Sequence, residues 1–426
     1  MREMKDSGVE WIGQIPKDWS ISPLKYNYEV VAGATPESSK SDYWDGDIVW
    51  ITPADFKTKD VYVERGSRYI TKLGFDSCST SIIPKGNIIF SKRAPIGSVV
   101  INSKNLCTNQ GCLSCINKDI NVNNKYYYYV LSIYTDVFEL FGSGTTFKEI
   151  SGNVFSNIIL PYPCVEVQNR IVNFLDEKCS EIDTLTSDIQ KQIDTLEQYK
   201  KSVITEAVTK GLYPDAEMKD SKTDWCPRIP VNWEVVNPKI MFALRTERAR
   251  KEDEQLTASQ EYGIVNQNKY MEITGTRVVT VEKDFSILKH VEPNDFVISM
   301  RSFQGGLEFS EIRGCISSAY VMLIPDERYV YPPFYRWFFK SSKYINALQS
   351  TSNLVRDGQA MRYANFIQVP LFLIPIEEQM EISNYLNERC SEIDTIISDK
   401  KKQLEVITEY KKSLIYEYVT GKKEVM

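Results

Sequence analysis

Three cysteines in CTNQGCLSC at 107–115 stand at C-x4-C-x2-C, the spacing of a plant-type iron–sulfur loop. A cluster needs a fourth thiolate, and the nearest, Cys164, is not at a helpful spacing. The stretch reads as strand–turn–strand, so these cysteines are expected to pack rather than ligate. The only histidine, His290, sits in ILKHVEPND and reads as a turn or surface residue. One imidazole offers little material for a histidine-based triad. GKKE at 421–424 lacks the upstream glycine and the Ser/Thr of a phosphate loop. YPPFY at 331–335 lacks the Asn with which an amino-methyltransferase motif holds its target amine. PDAEMK at 214–219 is too compressed for a nuclease carboxylate site. These absences point to a binder rather than a catalyst.

The elements that would position a binding surface are written twice. LDEKCSEIDT at 175–184 returns as LNERCSEIDT at 386–395, 211 positions later. At that offset Gln168–Thr209 and Gln379–Thr420 share 23 identities in 42 positions. Residues 4–25 and 218–239 form a second repeat at offset 214, with 9 identities in 22. The stretches between barely resemble each other. The layout is head, variable body and shared tail, twice over. A period this long is a duplicated domain, not a solenoid repeat. A duplication kept only for stability would diverge evenly, and this one does not.

Each tail reads as a long helix. Ile171, Leu175, Lys178, Ile182, Leu185, Ile189, Gln192, Leu196, Tyr199 and Val203 step by alternating four and three. So do Ile382, Leu386, Arg389, Ile393, Ile396, Lys400, Gln403, Ile407, Tyr410 and Leu414. That is a coiled-coil seam with polar interruptions able to set register. Pro163 and Pro375 precede the helices, and Gly211 and Gly421 stand where a C-terminal cap is expected. About 42 residues make a rod of ~63 Å. The two stripes are expected to pair with each other. An antiparallel pair, with the bodies at opposite ends, gives the duplicated chain an approximate two-fold axis. The competing expectation is that each helix packs on its own body.

The chain's 426 residues suggest roughly three domains at ~150 each. Its 42% hydrophobic and 25% charged residues are those of a soluble globular protein. No apolar run approaches the ~18–20 residues of a membrane helix, and MREMKDSGVEW has no signal-peptide core. A cytoplasmic location with nine reduced cysteines is expected. Runs such as DIVWI (47–51), NIIFS (87–91), GSVVI (97–101), DFVIS (295–299) and YVMLI (320–324) read as strands. Aromatic-rich 125–141 and 331–350 read as helices. The expected fold is α+β. Two strand-rich mixed α/β bodies (1–165 and 212–375) are joined and spaced by helices (166–211 and 376–422) forming an intramolecular antiparallel coiled coil. Cations and acids balance at 17 each in 1–160 and 20 each in 211–370, so the net −6 lies in the tails. Residues 82–118 nonetheless hold five cations and no acid, and 328–362 hold six cations and one acid. A neutral domain with one basic stretch can bind a polyanion through that face.

GATP…YWDGDIVWIT (33–52), KGNIIFSKRAPIGSVVI (85–101), TNQG (108–111) and SGTTFKEIS (143–151) occur in order in the first body. PNDFVISMRSFQGGLEFSEIRGCISSAYVML (293–323) and MRYANFIQVPLFLIP (361–375) occur in the second, and EVQ (166–168) and EEQ (377–379) enter the helices. In this arrangement the whole chain resembles the specificity subunit of type I restriction–modification systems. The second body lacks the GATP…WIT opening and resembles another subtype. The resemblance implies a non-catalytic subunit whose two target-recognition domains each read one half of a bipartite asymmetric DNA target, while the helices set the spacer. It implies two modification (adenine methyltransferase) subunits and restriction subunits as partners, with double-stranded DNA and no membrane. S-adenosylmethionine, and ATP with Mg2+, would belong to those partners; no cofactor or metal is expected in this chain.

Arg can contact guanine bidentately, Asn and Gln can do so with adenine, and Lys or Thr can hold phosphates. On that chemistry the candidate DNA contacts in the first body are Lys92, Arg93, Asn109, Gln110, Thr145, Thr146 and Lys148. In the second they are Arg301, Ser302, Gln304, Arg356 and Arg362. The rival readings are a stand-alone bipartite DNA-binding protein and a coiled-coil interaction scaffold.

Overall fold

The computed structural model describes residues 2–56, 61–144, 148–278, 280, 285–299, 302–351 and 361–425. By contact the chain divides into two units, Met1–Ile189 with Lys402–Met426 and Gln190–Lys401.

The first unit is built on β1 (Tyr28–Ala32), β2 (Trp44–Ile51), β3 (Tyr62–Val63), β4 (Arg68–Ile70), β5 (Ile88–Ser91), β6 (Val99–Asn102), β7 (Cys107–Thr108) and β8 (Cys112–Asn117). Five of these form a sheet in the order β1-β8-β5-β6-β3. Period-two alternation gives that sheet two apolar faces. Ile88, Phe90, Ile101, Leu113 and Cys115 join one core, under helices α1 (Asn124–Ser132) and α2 (Thr135–Phe141). Ile89, Val100 and Cys112 join another, with Ile51, Ile83 and Leu106. A smaller sheet, β7-β2-β4, carries a third core around Trp44 and Trp50. Cys107, Cys112 and Cys115 thus fall into three different cores. Burial pushes the Cys112 and Cys115 thiols well above their usual range.

The second unit repeats the principle with other strands. These are β9 (Phe242–Arg245), β10 (Leu256–Ser259), β11 (Gly263–Asn266), β12 (Lys289–Val291), β13 (Phe296–Ile298), β14 (Glu308–Phe309), β15 (Gly314–Ile316) and β16 (Val321–Pro325). The order β9-β16-β13-β14 makes an antiparallel sheet. Phe296 and Ile298 face an aromatic core with Phe242, Tyr335 and Phe339, while Val297 and Met322 face the opposite way. Each expected aromatic helix is broken in two. The second body has α3 (Pro332–Phe338) and α4 (Ser342–Thr351).

His290 departs from the expectation of a turn or surface residue. It lies in β12 and is fully buried. Its Nδ1 is 2.7 Å from Asp253 Oδ2 and its Nε2 is 2.9 Å from Glu292 Oε1. Arg250 and Arg313 also hold Glu292. The His290 hydrogen bond, with Arg313, pulls the Glu292 carboxyl down to about 2. The acidic residues that follow it turn inward as well, Glu292 to His290 and Asp295 to Arg245.

Two long helices, Val165–Lys210 and Ile376–Val419, carry the repeats. Gly211 and Gly421 follow them at φ of 76° and 72°, the left-handed cap that glycine adopts without steric cost. Both enter their body through one buried glutamine. Gln168 accepts from Asn123 N and donates to Asn121 O and Pro163 O. Gln379 accepts from Tyr331 N and donates to Tyr329 O and Ile374 O. Each glutamine therefore ties a helix start to the chain just before the body's aromatic helix.

The helices pair antiparallel within each unit. In the first, Phe174 stacks near Tyr418 and Asp183 pairs with Lys411 at 2.6 Å. In the second, Gln192 meets Lys400 and Lys200 pairs with Asp394 at 2.6 Å. Asp183–Lys411 and Asp394–Lys200 are one ion pair written twice at offset 211. The pair also covers the bodies: Ile171, Leu175, Leu414 and Val419 close the first core, and Val203, Val208, Ile382 and Leu386 close the second.

Half of the expected seam moves by one residue. Leu175, Ile182, Ile189, Leu196 and Val203 face inward, as do their counterparts Leu386, Ile393, Ile407 and Leu414, with half-buried Lys400 in the place of Ile189 in the repeat. The alternate line runs through Cys179 and Ile193, and through Cys390 and Ile397. Leu185, Tyr199, Ile396 and Tyr410 are instead 44–57% exposed. Polar Lys178, Gln192 and Gln403 are not buried; Gln192 still meets Lys400 across the pair, and Arg389 reaches both Glu392 and, at 3.4 Å, the Tyr199 hydroxyl of the other helix. Lines three and four residues from the shared one both satisfy a heptad, and the body beneath selects the second.

Candidate nucleic-acid interface

In the first unit the loops at one set of strand ends converge. β5 runs into Lys92 and Arg93. The Lys92 N–H donates to Gly111 O at 2.9 Å, and its carbonyl accepts from Ile150 N at 3.1 Å. That joins the KRAP loop to TNQG and to the segment after Lys148. Asn109 N donates to Ile51 O at 2.9 Å, bringing in the end of β2. The GATP loop arrives through Gly33. A Cβ there would lie 2.2 Å from Thr108 O, so only glycine permits the approach. Ala34 N then bonds Thr108 O, and Thr35 Oγ1 donates to Gln110 Oε1.

The side chains divide by role. Lys92 Nζ lies 2.7 Å from Glu149 Oε1 and Arg93 Nη1 lies 3.5 Å from Oε2. One carboxylate thus anchors two cations, and with exposed Lys148 the cluster keeps net positive charge. Asn109 Oδ1 accepts from Gly111 N at 2.9 Å, so its carbonyl shapes the loop. Gln110 is exposed beside it. The structure therefore brings Lys92, Arg93, Asn109, Gln110 and Lys148 together. Thr145 and Thr146 lie outside the described residues.

The second unit gathers its candidates less tightly. Ser302 is 1% exposed and its hydroxyl accepts from Ser299 N, so it shapes a turn rather than facing solvent. A serine at the start of a short helix serves its own backbone first. Gln304 is exposed on the following helical turn, which packs on α4. Arg362 is exposed before Tyr363–Phe366, and Asn365 there donates to Thr351 O at the end of α4. Arg301 and Arg356 lie outside the described residues. Other cations of this unit are spent internally: Arg245 grips Asp295 at 2.6 Å and Lys340 holds Glu308 at 2.7 Å. Burial pushes both carboxyls up against the pull of those cations.

The candidates omitted Thr35, Trp44, Trp50 and Arg68. The two indoles sit in one quoted motif, and even spacing on a strand signals a shared face. Arg68 carries no local signal, because its neighbour Trp50 is reached only across the β2–β4 ladder.

A family model described as the type I restriction modification DNA specificity domain matches residues 16–195. The type I restriction enzyme MjaIX specificity subunit of Methanocaldococcus jannaschii is 40% identical over 190 residues. That alignment spans 44% of this chain and only 43% of that subunit's length. The putative type I restriction enzyme MjaX specificity subunit of the same organism is 25% identical over 97% of this chain and 96% of its own length. A solved chain from work on complex assembly and conformational transition of the type I R-M system superposes with TM-score 0.69. It covers 95% of this chain and 98% of its own length at 14% identity, a likeness of fold. Among the described residues no helix is long and apolar enough to cross a membrane.

Proposed function

Because this chain belongs to the family of type I restriction–modification specificity subunits, we propose that each unit reads one half-site of a bipartite, asymmetric DNA target. The helices set the unread spacer and carry two modification subunits, with restriction subunits joining them. S-adenosylmethionine, ATP and Mg2+ serve those partners, which methylate adenines swung out of the duplex. This chain contributes position and sequence choice. Arg93 and Gln110 address base edges, while Lys92 and Lys148 hold phosphates.

The observation that supports the reading is a helix clamp repeated in each unit, while the loop faces of the units are unlike. Gln168 and Gln379 make the same three bonds, and Asp183–Lys411 repeats as Asp394–Lys200. A shared docking surface for identical partners explains why this part stays alike. Different half-sites explain why the loop faces do not.

The test is adenine methylation mapped by long-read sequencing in cells expressing this chain with a type I modification subunit from the same genome. The control lacks only this chain. The expected result is a new split motif that depends on the chain. Both proteins soluble with no such motif overturns the reading.

A further inference from the structure

The first body contains four arginines before the long helix, and they meet different fates. Arg2 pairs with Asp18 at 2.6 Å, and Arg93 leans on Glu149. Arg65 and Arg68 are exposed, and among the described residues neither has a carboxylate within ion-pair distance. Only Arg68 of these two is given a surface to lie on. Its guanidinium carbon stands 3.4 Å from the centroid of the Trp44 ring.

That ring is itself immobilised. Trp44 is 5% exposed, and its Nε1 donates to Glu37 O at 3.2 Å. Trp50 meets it edge-to-face at 5.2 Å and donates its own Nε1 to Ala34 O at 3.0 Å. Both indoles thus clamp the loop that carries Thr35, and Thr35 bonds Gln110. Arg68 stands opposite Trp50 in the β2–β4 ladder. One rigid construction therefore carries the Arg68 guanidinium and the exposed Gln110 amide.

A guanidinium with one face covered by an indole keeps its N–H edges for a ligand in its own plane. Its rotamer is already selected, so little side-chain freedom is lost on binding. The planar fork matches N7 and O6 of guanine in the major groove. From this geometry we propose that Arg68 reads a guanine in the half-site recognised by the first unit. The proposal rests on the half-site reading above. The bland alternative is that Arg68 only roofs Trp44.

Two variants separate these. Arg68→Met keeps an unbranched roof over the indole without donors, and Arg68→Lys keeps the charge without the fork. Each is expressed with the methyltransferase and its methylated sites are mapped against the wild type. The wild-type motif should contain a guanine whose preference falls by about ten- to a hundredfold in both variants. The other half-site should be unchanged in the same molecules, which controls for folding. An unaltered motif in both variants overturns the proposal. So does an even loss over all sites with the same consensus, which makes Arg68 a phosphate contact. A wild-type chain that directs no split motif overturns the half-site reading and this proposal with it.

Discussion

The two units repeat the same kind of helix clamp but use their charges differently. In the first, Lys92 and Arg93 share one acid, Glu149, at the loop ends, and Lys148 stands exposed beside it. In the second, Arg245, Arg250 and Arg313 are drawn to Asp295 and Glu292 beside a buried histidine, and Lys340 pairs separately with Glu308. Nearly equal cation counts thus give one basic loop face and one internal ionic network. The lesson is that a basic stretch predicts a binding face only after internal pairs are subtracted. The helix ends differ as well. Phe174 and Tyr418 fill the first unit's corner with rings 4.4 Å apart. Their counterparts Tyr385 and Ala207 instead line a groove of about 1000 Å³ with Tyr199 and Tyr213.

The largest expected effect breaks the symmetry of the pair. His290→Ala leaves the Asp253 and Glu292 carboxylates facing a cavity, and stranding a buried hydrogen-bonding group costs about 1–3 kcal/mol each, more for charged ones. Hydrogen–deuterium exchange read by peptide should show loss of protection in the second unit and none in the first. Equal loss in both would mean that the network is not confined to its unit.

The next effect tests what the units share. Gln168→Ala and Gln379→Ala each strand backbone groups that the buried amide satisfied, at about 1–3 kcal/mol per stranded group. Each should destabilise its own unit, and by similar amounts in denaturant unfolding. If only one variant is destabilised, the clamp is not the common element.

The smallest effect compares two neighbouring isoleucines on one helix. Ile397 is 7% exposed and Ile396 is 44% exposed. Ile397→Ala should cost about 2 kcal/mol or more. Ile396→Ala should stay within about 0.5 kcal/mol, as surface changes do. The reverse order in thermal melts would return the seam to the line through Leu185, Tyr199, Ile396 and Tyr410.

The chain's own residues determine the duplication, the two long helices, their glycine caps and the strand runs, because all of these rest on short-range periodicity and backbone preference. The same local logic reaches Lys92, Arg93 and Gln110, which sit beside readable strand ends and turns. Tertiary structure decides the rest. Cys179 and Ile193 replace Lys178 and Gln192 in the seam because two heptad phases share one line, and the surface they cover makes the choice. His290 is buried with Glu292, from just past its own strand, and Asp253, from a loop 37 residues away, and that second contact lies outside any local window of sequence. Arg68 gains its indole only when β4 pairs with β2. Periodicity tells which side of an element is apolar; only packing tells what that side, and each charge beside it, will meet.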